Sequence, residues 1–333
     1  EYESPQPGAS AVREPGPHRL IDTECPFCHG AEEQTPEAVW SARLGAPQAS
    51  PSSLGSTRFP GPTVHIKPGE QPDWNVRVVP NKFPAVSQAR DEFTPPEKSE
   101  ELFPIADVVG GHEVIIESSN HLELMTDSDP AIVYLTLLAY RDRIRHWMEI
   151  PGIEYVSVFK NCGSEAGASL RHSHSQLVAT SVMPQRIRLS TARAENYRAR
   201  TGCTLGCDLL RGELDEKARV IDRTDSMVAY CPFASRFAGL IRITSLSHQP
   251  QFEELTDTAL DQLSSFLWRV LSWVEKAYPG KAFNYVLHTF PPGGLQREAF
   301  QWSLDVFPRL NKTAGFEWSS DCMINSLLPE AAA

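Results

Sequence analysis

The sequence predicts an α+β protein made of two similar lobes, in which helices pack on antiparallel sheets. The chain has 333 residues, of which 41% are hydrophobic, so it can bury one large core or two modest ones. In addition, the order of strand-like and helix-like segments in the first part returns in the second part, which indicates a tandem duplication. We therefore place one lobe at residues 1–200 and the other at residues 201–333.

The first lobe opens with a loop-rich region. The stretch from Ala46 to Pro62 is rich in Pro, Ser and Gly and has no hydrophobic period. After it, clusters of β-branched residues predict strands, and one long run with apolar residues at helical spacing predicts a helix. In chain order, these elements are strands at 74–80 and 112–117, a helix at 131–150, and strands at 154–160 and 176–180.

The second lobe repeats this order. Val79 to Pro84 is echoed at 230–237, and a strand, a helix with one apolar face and another strand follow at 239–244, 256–278 and 284–289. Glu154 to Phe159 then corresponds to Asn284 to Thr289. The segment His172 to Gln176 falls opposite Gln301 to Asp305. One lobe therefore keeps a set of histidines that the other lacks.

The composition disfavours several classes of function. A net charge of −11 without any Lys/Arg-rich run argues against binding to DNA or RNA. No apolar run reaches the roughly 18 residues that span a bilayer, and the chain shows no signal-peptide pattern, so we expect a soluble protein. The seven cysteines include two close pairs, Cys25/Cys28 and Cys203/Cys207. This clustering indicates metal binding in a reducing compartment and predicts a cytoplasmic location.

A glycine-bearing loop that runs into alternating polar residues is the main candidate for a site. The loop contains Gly163 and Gly167, whose backbone can approach a phosphate closely and donate N–H hydrogen bonds. In a strand that begins at His172, the side chains of His172, His174 and Gln176 share one face. Three such groups on one face are not packing residues, so this face is predicted to act on a ligand.

His174 suits the role of a nucleophile, because a neutral imidazole attacks phosphorus and a backbone carbonyl can fix its tautomer. Attack on the α-phosphorus of a nucleotide sugar would release sugar 1-phosphate and leave a nucleotidyl-histidine. A second phosphate acceptor would then collect the nucleotide. The leaving phosphate has a second pKa of about 6, so it needs no general acid. Gln176 fits this chemistry, since its amide donates to a phosphate oxygen but transfers no proton.

The segment AGASLRHSHSQ, which ends at Gln176, resembles the active-site strand of the galactose-1-phosphate uridylyltransferases and the related ADP-glucose phosphorylases. These enzymes form a branch of the histidine triad superfamily, and the resemblance covers most of the chain. It implies a fold of two histidine-triad-like lobes. It also implies that His174 is the covalent nucleophile and that Gln176 steadies the phosphate. Further positions that match substrate-contacting residues of the family are Asn81, Phe83, Asn161 and Ser169.

The motif Cys25-Pro26-Phe27-Cys28 is typical of structural zinc sites, which take four protein ligands. The family resemblance supplies the other two ligands, His121 and His172. Because four protein ligands leave no position for water, the predicted zinc is structural and fixes the strand that carries His174.

A second metal site in the other lobe is not expected. Cys203 and Cys207, followed by His248, match a second site of some relatives, but their spacing is CxxxC. The position where relatives carry HWH reads Gln301-Trp302-Ser303. His288, which matches a further metal ligand in some uridylyltransferases, is accordingly interpreted as a packed residue.

The substrate is only partly defined by the residues. Glu317 matches a glutamate that contacts the hexose in the family, whereas Asn311 stands where a lysine is usual. We expect a nucleotide sugar and a hexose 1-phosphate as substrates, and a homodimer, since the sugar end of the family's site lies near a subunit boundary. Transfer of UMP is placed first, as in galactose metabolism. The alternatives are an ADP-glucose or dinucleotide phosphorylase that transfers AMP to phosphate, and a zinc-stabilised nucleotide-binding module without catalysis.

Overall fold

A computed structural model describes residues 24–45, 62–65, 73–87, 102, 107–291 and 296–333. The predicted loop-rich stretch from Ala46 to Pro62 lies outside these residues, apart from Pro62 itself. No helix in the described ranges combines the length and apolar character that crossing a bilayer requires.

Eleven strands of the described residues form one sheet in which all neighbouring strands are antiparallel. The strands are β1 (Trp40–Arg43), β2 (Thr63–His65), β3 (Val76–Pro80), β4 (Gly110–Ile116), β5 (Tyr155–Cys162), β6 (His174–Thr180), β7 (Val220–Arg223), β8 (Met227–Tyr230), β9 (Ile241–Ser245), β10 (Phe283–His288) and β11 (Ser303–Pro308). Their order is β2-β1-β3-β4-β6-β5-β10-β11-β9-β8-β7.

Six α-helices accompany this sheet in the described chain. They are α1 (Pro130–Met148), α2 (Gln185–Thr201), α3 (Leu205–Glu216), α4 (Asp257–Ala277), α5 (Gly315–Ser320) and α6 (Pro329–Ala332). The two longest helices, α1 and α4, each follow a residue whose side chain caps the first turn. Asp129 accepts a hydrogen bond from the Ala131 amide at 2.8 Å before α1, and Thr256 accepts one from the Ala259 amide at 3.2 Å before α4. α1 and α4 pack against each other, and their apolar residues share one core with the sheet.

The predicted duplication is confirmed by the strand order. The first half reads β3-β4-β6-β5 and the second half reads β8-β9-β11-β10 across the sheet. In chain order one long helix separates the second and third strands of each half, α1 before β5 and α4 before β10. The two halves are joined edge to edge by β5 and β10, so they share a single sheet where separate sheets were predicted. The lobe boundary near residue 200 remains a prediction.

One correspondence within the repeat is wrong. The sequence alignment placed Val158 opposite His288, but Val158 is buried in the core together with Tyr285 and Leu287 of the second half. His288 instead lies on the other face of the sheet, where its Nε2 is 3.4 Å from a carboxylate oxygen of Asp305. Since successive side chains of a strand point to opposite faces, an alignment shifted by one residue exchanges core and surface positions.

Candidate active site

Four side chains from three distant segments meet beside the sheet. The ligand atoms of Cys25, Cys28, His121 and His172 all lie within 4.8 Å of one another. The two sulfurs are 3.5 Å and 3.6 Å from Nδ1 of His172, and Cys28 Sγ is 3.5 Å from Nδ1 of His121. Ligands held at about 2.0–2.3 Å in a tetrahedral zinc site are separated by roughly 3.3–3.8 Å. Two thiols and two imidazoles at these separations fit a tetrahedral metal ion.

The tautomer of His172 also suits a metal ligand. Its Nε2 lies 2.9 Å from the carbonyl oxygen of Ser118, which can only accept, so Nε2 carries the proton and Nδ1 faces the sulfurs with its lone pair. Burial lowers the pKa of His172 to about 4, so the ring is neutral at pH 7. The hydrogen bond to Ser118 therefore aims the ring at the cluster.

His174 begins strand β6 and is 5% exposed. Its Nδ1 lies 2.8 Å from the carbonyl oxygen of His172, so Nδ1 donates and Nε2 keeps its lone pair. The ring of Phe27, from the cysteine-bearing segment, packs edge-on against the imidazole at 5.4 Å between centroids. Burial lowers the pKa of His174 below its usual value, which favours the neutral form.

A buried polar network contacts the backbone at the start of β6 and fixes its position. Lys160 on β5 donates to the carbonyl oxygen of His174 at 3.1 Å and to Ser173 Oγ at 2.9 Å, and it forms an ion pair with Glu117. Burial opposes a charge on Glu117, but Lys160 and the surrounding hydrogen bonds hold the pKa of this carboxyl below its usual value. The nucleophile candidate is thus tied to a buried charged pair through its own peptide group.

Gln176 lies two residues further along β6, on the same face as His174. Its Oε1 is 2.8 Å from Nε2 of His112, a residue of the neighbouring strand β4. His112 also contacts the side chain of Asn81, and Asn81 accepts a hydrogen bond from the Phe83 amide at 2.9 Å. The Phe83 ring itself is 82% exposed. Asn81 and Gln176 are therefore connected through His112, which the sequence analysis did not identify.

The glycine loop between β5 and β6 adopts a backbone conformation that favours glycine. Gly163 and Gly167 have φ values of +86° and +92°, which side chains of other residues rarely tolerate. Asn161 Nδ2 donates to the carbonyl oxygen of Gly167 at 3.4 Å, and Asn161 Oδ1 accepts from Asn284 Nδ2 at 2.8 Å. Ser169 is exposed. Because Asn284 belongs to β10, the second half of the chain orients the loop of the first half.

Glu317 is not brought to this face. It accepts a hydrogen bond from the Ala314 amide at 3.0 Å and lines a small cavity of about 30 Å³ together with Asn311 and Arg309. None of the predicted site residues of the first half lines that cavity. A larger cavity of about 490 Å³ lies where the two halves meet, and its wall includes Tyr155 and Arg186 of the first half and His288 and Asp305 of the second.

The described residues contain one cluster of three or more metal-ligating side chains, namely that of Cys25, Cys28, His121 and His172. Cys203 is exposed, and Nε2 of His248 donates to the carbonyl oxygen of Phe300 at 2.8 Å. At the positions of His174 and Gln176, the second half carries Ser303 and Asp305 on the same face of the sheet. Catalytic chemistry is therefore expected in the first half alone.

Comparisons with known proteins agree with this geometry. The sequence profile described as "Galactose-1-phosphate uridyl transferase, N-terminal domain" matches residues 57–184. An ADP-glucose phosphorylase from Arabidopsis thaliana is 31% identical over 290 residues, which cover 86% of this chain and 81% of that protein. A galactose-1-phosphate uridylyltransferase from Thermotoga maritima is 25% identical over 231 residues, which cover 66% of this chain and 71% of that protein.

Solved structures show the same relationship. The crystal structure of an ADP-glucose phosphorylase from Arabidopsis thaliana with bound ADP-glucose has a TM-score of 0.73 at 28% identity, covering 96% of this chain and 90% of that one. A uridylyltransferase structure has a TM-score of 0.71 at 23% identity, covers 87% of this chain and 91% of that one, and supports the fold alone. The duplicated fold and its histidine-bearing strand define a protein of the histidine triad class. Within that class, the chain belongs to the galactose-1-phosphate uridylyltransferase family.

Proposed function

We propose that this chain transfers a nucleoside monophosphate between two phosphates through a covalent bond to His174. The observation that carries the proposal is the hydrogen bond from Nδ1–H of His174 to the carbonyl oxygen of His172, because it leaves Nε2 as the free nucleophile. Nε2 attacks the α-phosphorus of a nucleotide sugar, the bond from that phosphorus to the bridging oxygen breaks, and sugar 1-phosphate leaves. An oxygen of the acceptor phosphate then attacks the same phosphorus, the P–N bond breaks, and His174 is regenerated.

The favoured reaction converts ADP-glucose and inorganic phosphate into ADP and glucose 1-phosphate. It is supported by the higher identity and coverage of the ADP-glucose phosphorylase, 31% over 86% of the chain, against 25% over 66% for the uridylyltransferase. The second candidate is transfer of UMP between a UDP-sugar and a hexose 1-phosphate, as predicted from the sequence. The uridyl transferase profile over residues 57–184 favours it.

The Cys25, Cys28, His121 and His172 cluster is proposed to hold one Zn²⁺. Two sulfurs and two imidazole nitrogens complete a tetrahedral shell without an open position, so the ion would act as a structural link. His172 and His174 are separated by one residue, and the hydrogen bond between them depends on where His172 is held. An ion held there would therefore help to position His174 and would take no part in the bond changes.

A homodimer would bring Glu317 to the sugar end of the site. This is supported by the place of Glu317 in a cavity apart from His174 and by the exposed apolar side chains next to it, Phe316 and Trp318. The cytoplasmic location also stays a prediction, supported by the seven cysteines, none of which forms a disulfide.

Covalent labelling tests the proposal. The protein is incubated with ADP-glucose or UDP-glucose labelled at the α-phosphate, quenched in alkali and mapped by mass spectrometry. We expect an acid-labile nucleotidyl adduct on His174 that is absent from His174→Asn, a variant that keeps a polar side chain at the start of β6. Adding inorganic phosphate, glucose 1-phosphate or galactose 1-phosphate to the labelled protein then identifies the acceptor. If no donor labels the wild type, the chain is a binding module and the proposal is wrong.

A further inference from the structure

His112 and Gln176 are neighbours on adjacent strands. In the register of β4 and β6, His112 is opposite Val178 and Val114 is opposite Gln176, so His112 and Gln176 stand diagonally on one face. Diagonal neighbours in a sheet are about 7–8 Å apart, which long side chains can bridge. Here the gap is closed by a contact of 2.8 Å between Nε2 of His112 and Oε1 of Gln176.

The direction of this hydrogen bond follows from the other nitrogen of the ring. The backbone amide of Ala85 donates to Nδ1 of His112 at 3.1 Å. A backbone N–H is always a donor, so Nδ1 is the acceptor and the proton of the neutral ring is on Nε2. Nε2–H therefore donates to Oε1 of Gln176. The Asn81 amide nitrogen lies 3.1 Å from Nε2 and 3.4 Å from Nδ1, which places it over the face of the ring.

This donation fixes the orientation of the Gln176 amide. With Oε1 engaged by His112, the NH₂ group is turned the other way, and no described residue accepts a hydrogen bond from it. An amide that rotated freely would present its oxygen to an anion about as often as its nitrogen. The oxygen would repel a phosphate, whereas the NH₂ group donates to it.

We propose that His112 is a positioning residue for nucleotidyl transfer, which keeps the NH₂ group of Gln176 directed at the phosphate. The inference rests on the proposed function, since it assigns the Gln176 amide a phosphate ligand. It also links the Asn81 to Ala85 segment to the phosphate end of the site. When that segment is in place, the Ala85 amide fixes the tautomer of His112. The tautomer of His112 in turn fixes the orientation of the Gln176 side-chain amide.

A matched pair of substitutions separates the two hydrogen bonds of the ring. In His112→Gln, the side-chain NH₂ group reaches the place of Nε2 and still donates to Gln176, while the acceptor for Ala85 is lost. In His112→Asn, the carbonyl oxygen takes the place of Nδ1 and still accepts from Ala85, while nothing reaches Gln176. We expect the rate of His174 labelling in a single turnover to fall roughly 10- to 100-fold in His112→Asn and in His112→Phe, and only a few-fold in His112→Gln.

A double substitution distinguishes positioning from a general structural role. If His112 acts through Gln176, the His112→Phe substitution slows labelling strongly when Gln176 is present. The same substitution slows labelling less than about 2-fold when it is added to Gln176→Ala. Zinc content and melting temperature are measured for each variant, and both should match the wild type. Additive losses, or a His112→Asn protein as fast as the wild type, would overturn the role of His112 alone. A wild type that never becomes labelled would overturn this inference together with the proposed function.

Discussion

Lys160 and Glu117 are the most deeply buried charged pair near the candidate nucleophile, with side chains 1% and 2% exposed. A charge in such a place is stable only while its partner is present, because desolvation is compensated by that partner and by hydrogen bonds. Here the partners include the hydroxyl groups of Ser173 and Tyr140. The pair therefore supports the position of His174. Each of its two charges is stable only while the other is present.

Removing only the cation should be strongly destabilising. We expect Lys160→Met to lower the free energy of unfolding by about 3–5 kcal/mol, because the Glu117 carboxylate is left buried without a counter-charge. Urea denaturation followed by tryptophan fluorescence measures this loss. The control is Lys160→Met combined with Glu117→Gln, which removes both charges and should be less destabilised than Lys160→Met alone. Two single effects that simply add would contradict the coupling.

At this scale the sequence predicted the residues that lie close together in the chain. His174 and Gln176 follow a two-residue spacing that identifies one face of a strand, and Cys25 and Cys28 form a motif. The strand was predicted to begin at His172, but β6 begins at His174, so His172 precedes it. Lys160, Glu117 and His112 were missed, because their roles depend on contacts between neighbouring strands. The available signal was weak: His112 is the first residue of the predicted strand 112–117, which also contains Glu113 and Glu117.

Among the elements, β4 and α1 are joined by a close contact at Gly111. A Cβ atom at this position would lie 2.0 Å from the ring of Trp147, which is 5% exposed and donates from Nε1 to Glu113 at 3.0 Å. The ring has no room to move without breaking that hydrogen bond. The absence of a side chain at residue 111 therefore sets the distance between helix and sheet.

We expect Gly111→Ala to lower the free energy of unfolding by about 1–3 kcal/mol or more, because the added methyl group forces α1 away from β4. The matched control is Gly212→Ala in α3, where a Cβ atom would meet nothing within 4 Å. In a helix interior this change should stabilise the protein by roughly 0.5–1 kcal/mol. Thermal melts of both variants give the comparison, and equal melting temperatures would show that Trp147 adjusts freely.

Strands β9, β10 and β11 are linked by a second buried charged group. Arg242 donates to both carboxylate oxygens of Asp305 at 2.7 Å, and His288 lies 3.4 Å from the same carboxylate. Burial opposes the charge on Asp305, but Arg242 holds the pKa of this carboxyl far below its usual range. Because the pKa in the folded state is lowered, the stabilisation is present above the ordinary aspartate pKa of about 3.9 and is lost as the pH falls.

The corresponding prediction concerns acid sensitivity. Between pH 5 and pH 3, the free energy of unfolding of the wild type should fall more steeply than that of Asp305→Asn, which has no carboxyl to protonate at this position. Urea titrations at the two pH values provide the slopes. Parallel slopes would mean that Asp305 is protonated equally in the folded and unfolded chain.

The strands and long helices that the sequence predicted are those with a clear hydrophobic period. The helix expected at 131–150 is α1 (Pro130–Met148), and the one expected at 256–278 is α4 (Asp257–Ala277). The short strands β1 and β2 were not predicted, and neither were α2 and α3. α2 buries only Thr191 among its residues, so its sequence carries almost no apolar stripe for a pattern to detect.

For the molecule as a whole, the four-residue cluster joins segments that lie far apart in the chain, such as Cys25 and His172, which are 147 residues apart. A metal ion that closes such a long loop should contribute strongly to stability. We expect elemental analysis to give one zinc per chain. Stripping it with a chelator at neutral pH should lower the melting temperature and the rate of His174 labelling together. Restoration of both by Zn²⁺ but not by Mg²⁺ is the control, and loss of neither would refute the zinc proposal.

The proposed homodimer makes a separate prediction. If His174 of one subunit works with Glu317 of the other, His174→Asn and Glu317→Gln are each poorly active alone. Mixing equal amounts of the two proteins under conditions of subunit exchange should then restore about a quarter of the wild-type rate, because half of the dimers are mixed and one of the two sites in each mixed dimer receives both native residues. Sedimentation velocity verifies the dimer. A mixture that stays as inactive as its components would place both residues in one subunit.

At this largest scale the duplication was visible in the sequence, but the continuity of the sheet was not. Nothing in the residues of β5 or β10 distinguishes a strand that ends a sheet from one that pairs with the other half. β5 alternates between buried and half-buried positions throughout, and β10 does so from Tyr285 onward. The pairing of Phe159 with Val286 arises only when the two halves fold together.

This central pairing has the symmetry of an isologous contact. Lys160 lies opposite Tyr285 and Val158 lies opposite Leu287, while the strand orders on either side mirror each other. Each half alone would therefore present a bare backbone edge that is complementary to a copy of itself. A fragment containing only the first half should form a dimer with a second copy through β5. The covalent connection between the halves instead places the half that carries His174 beside the half that lacks it.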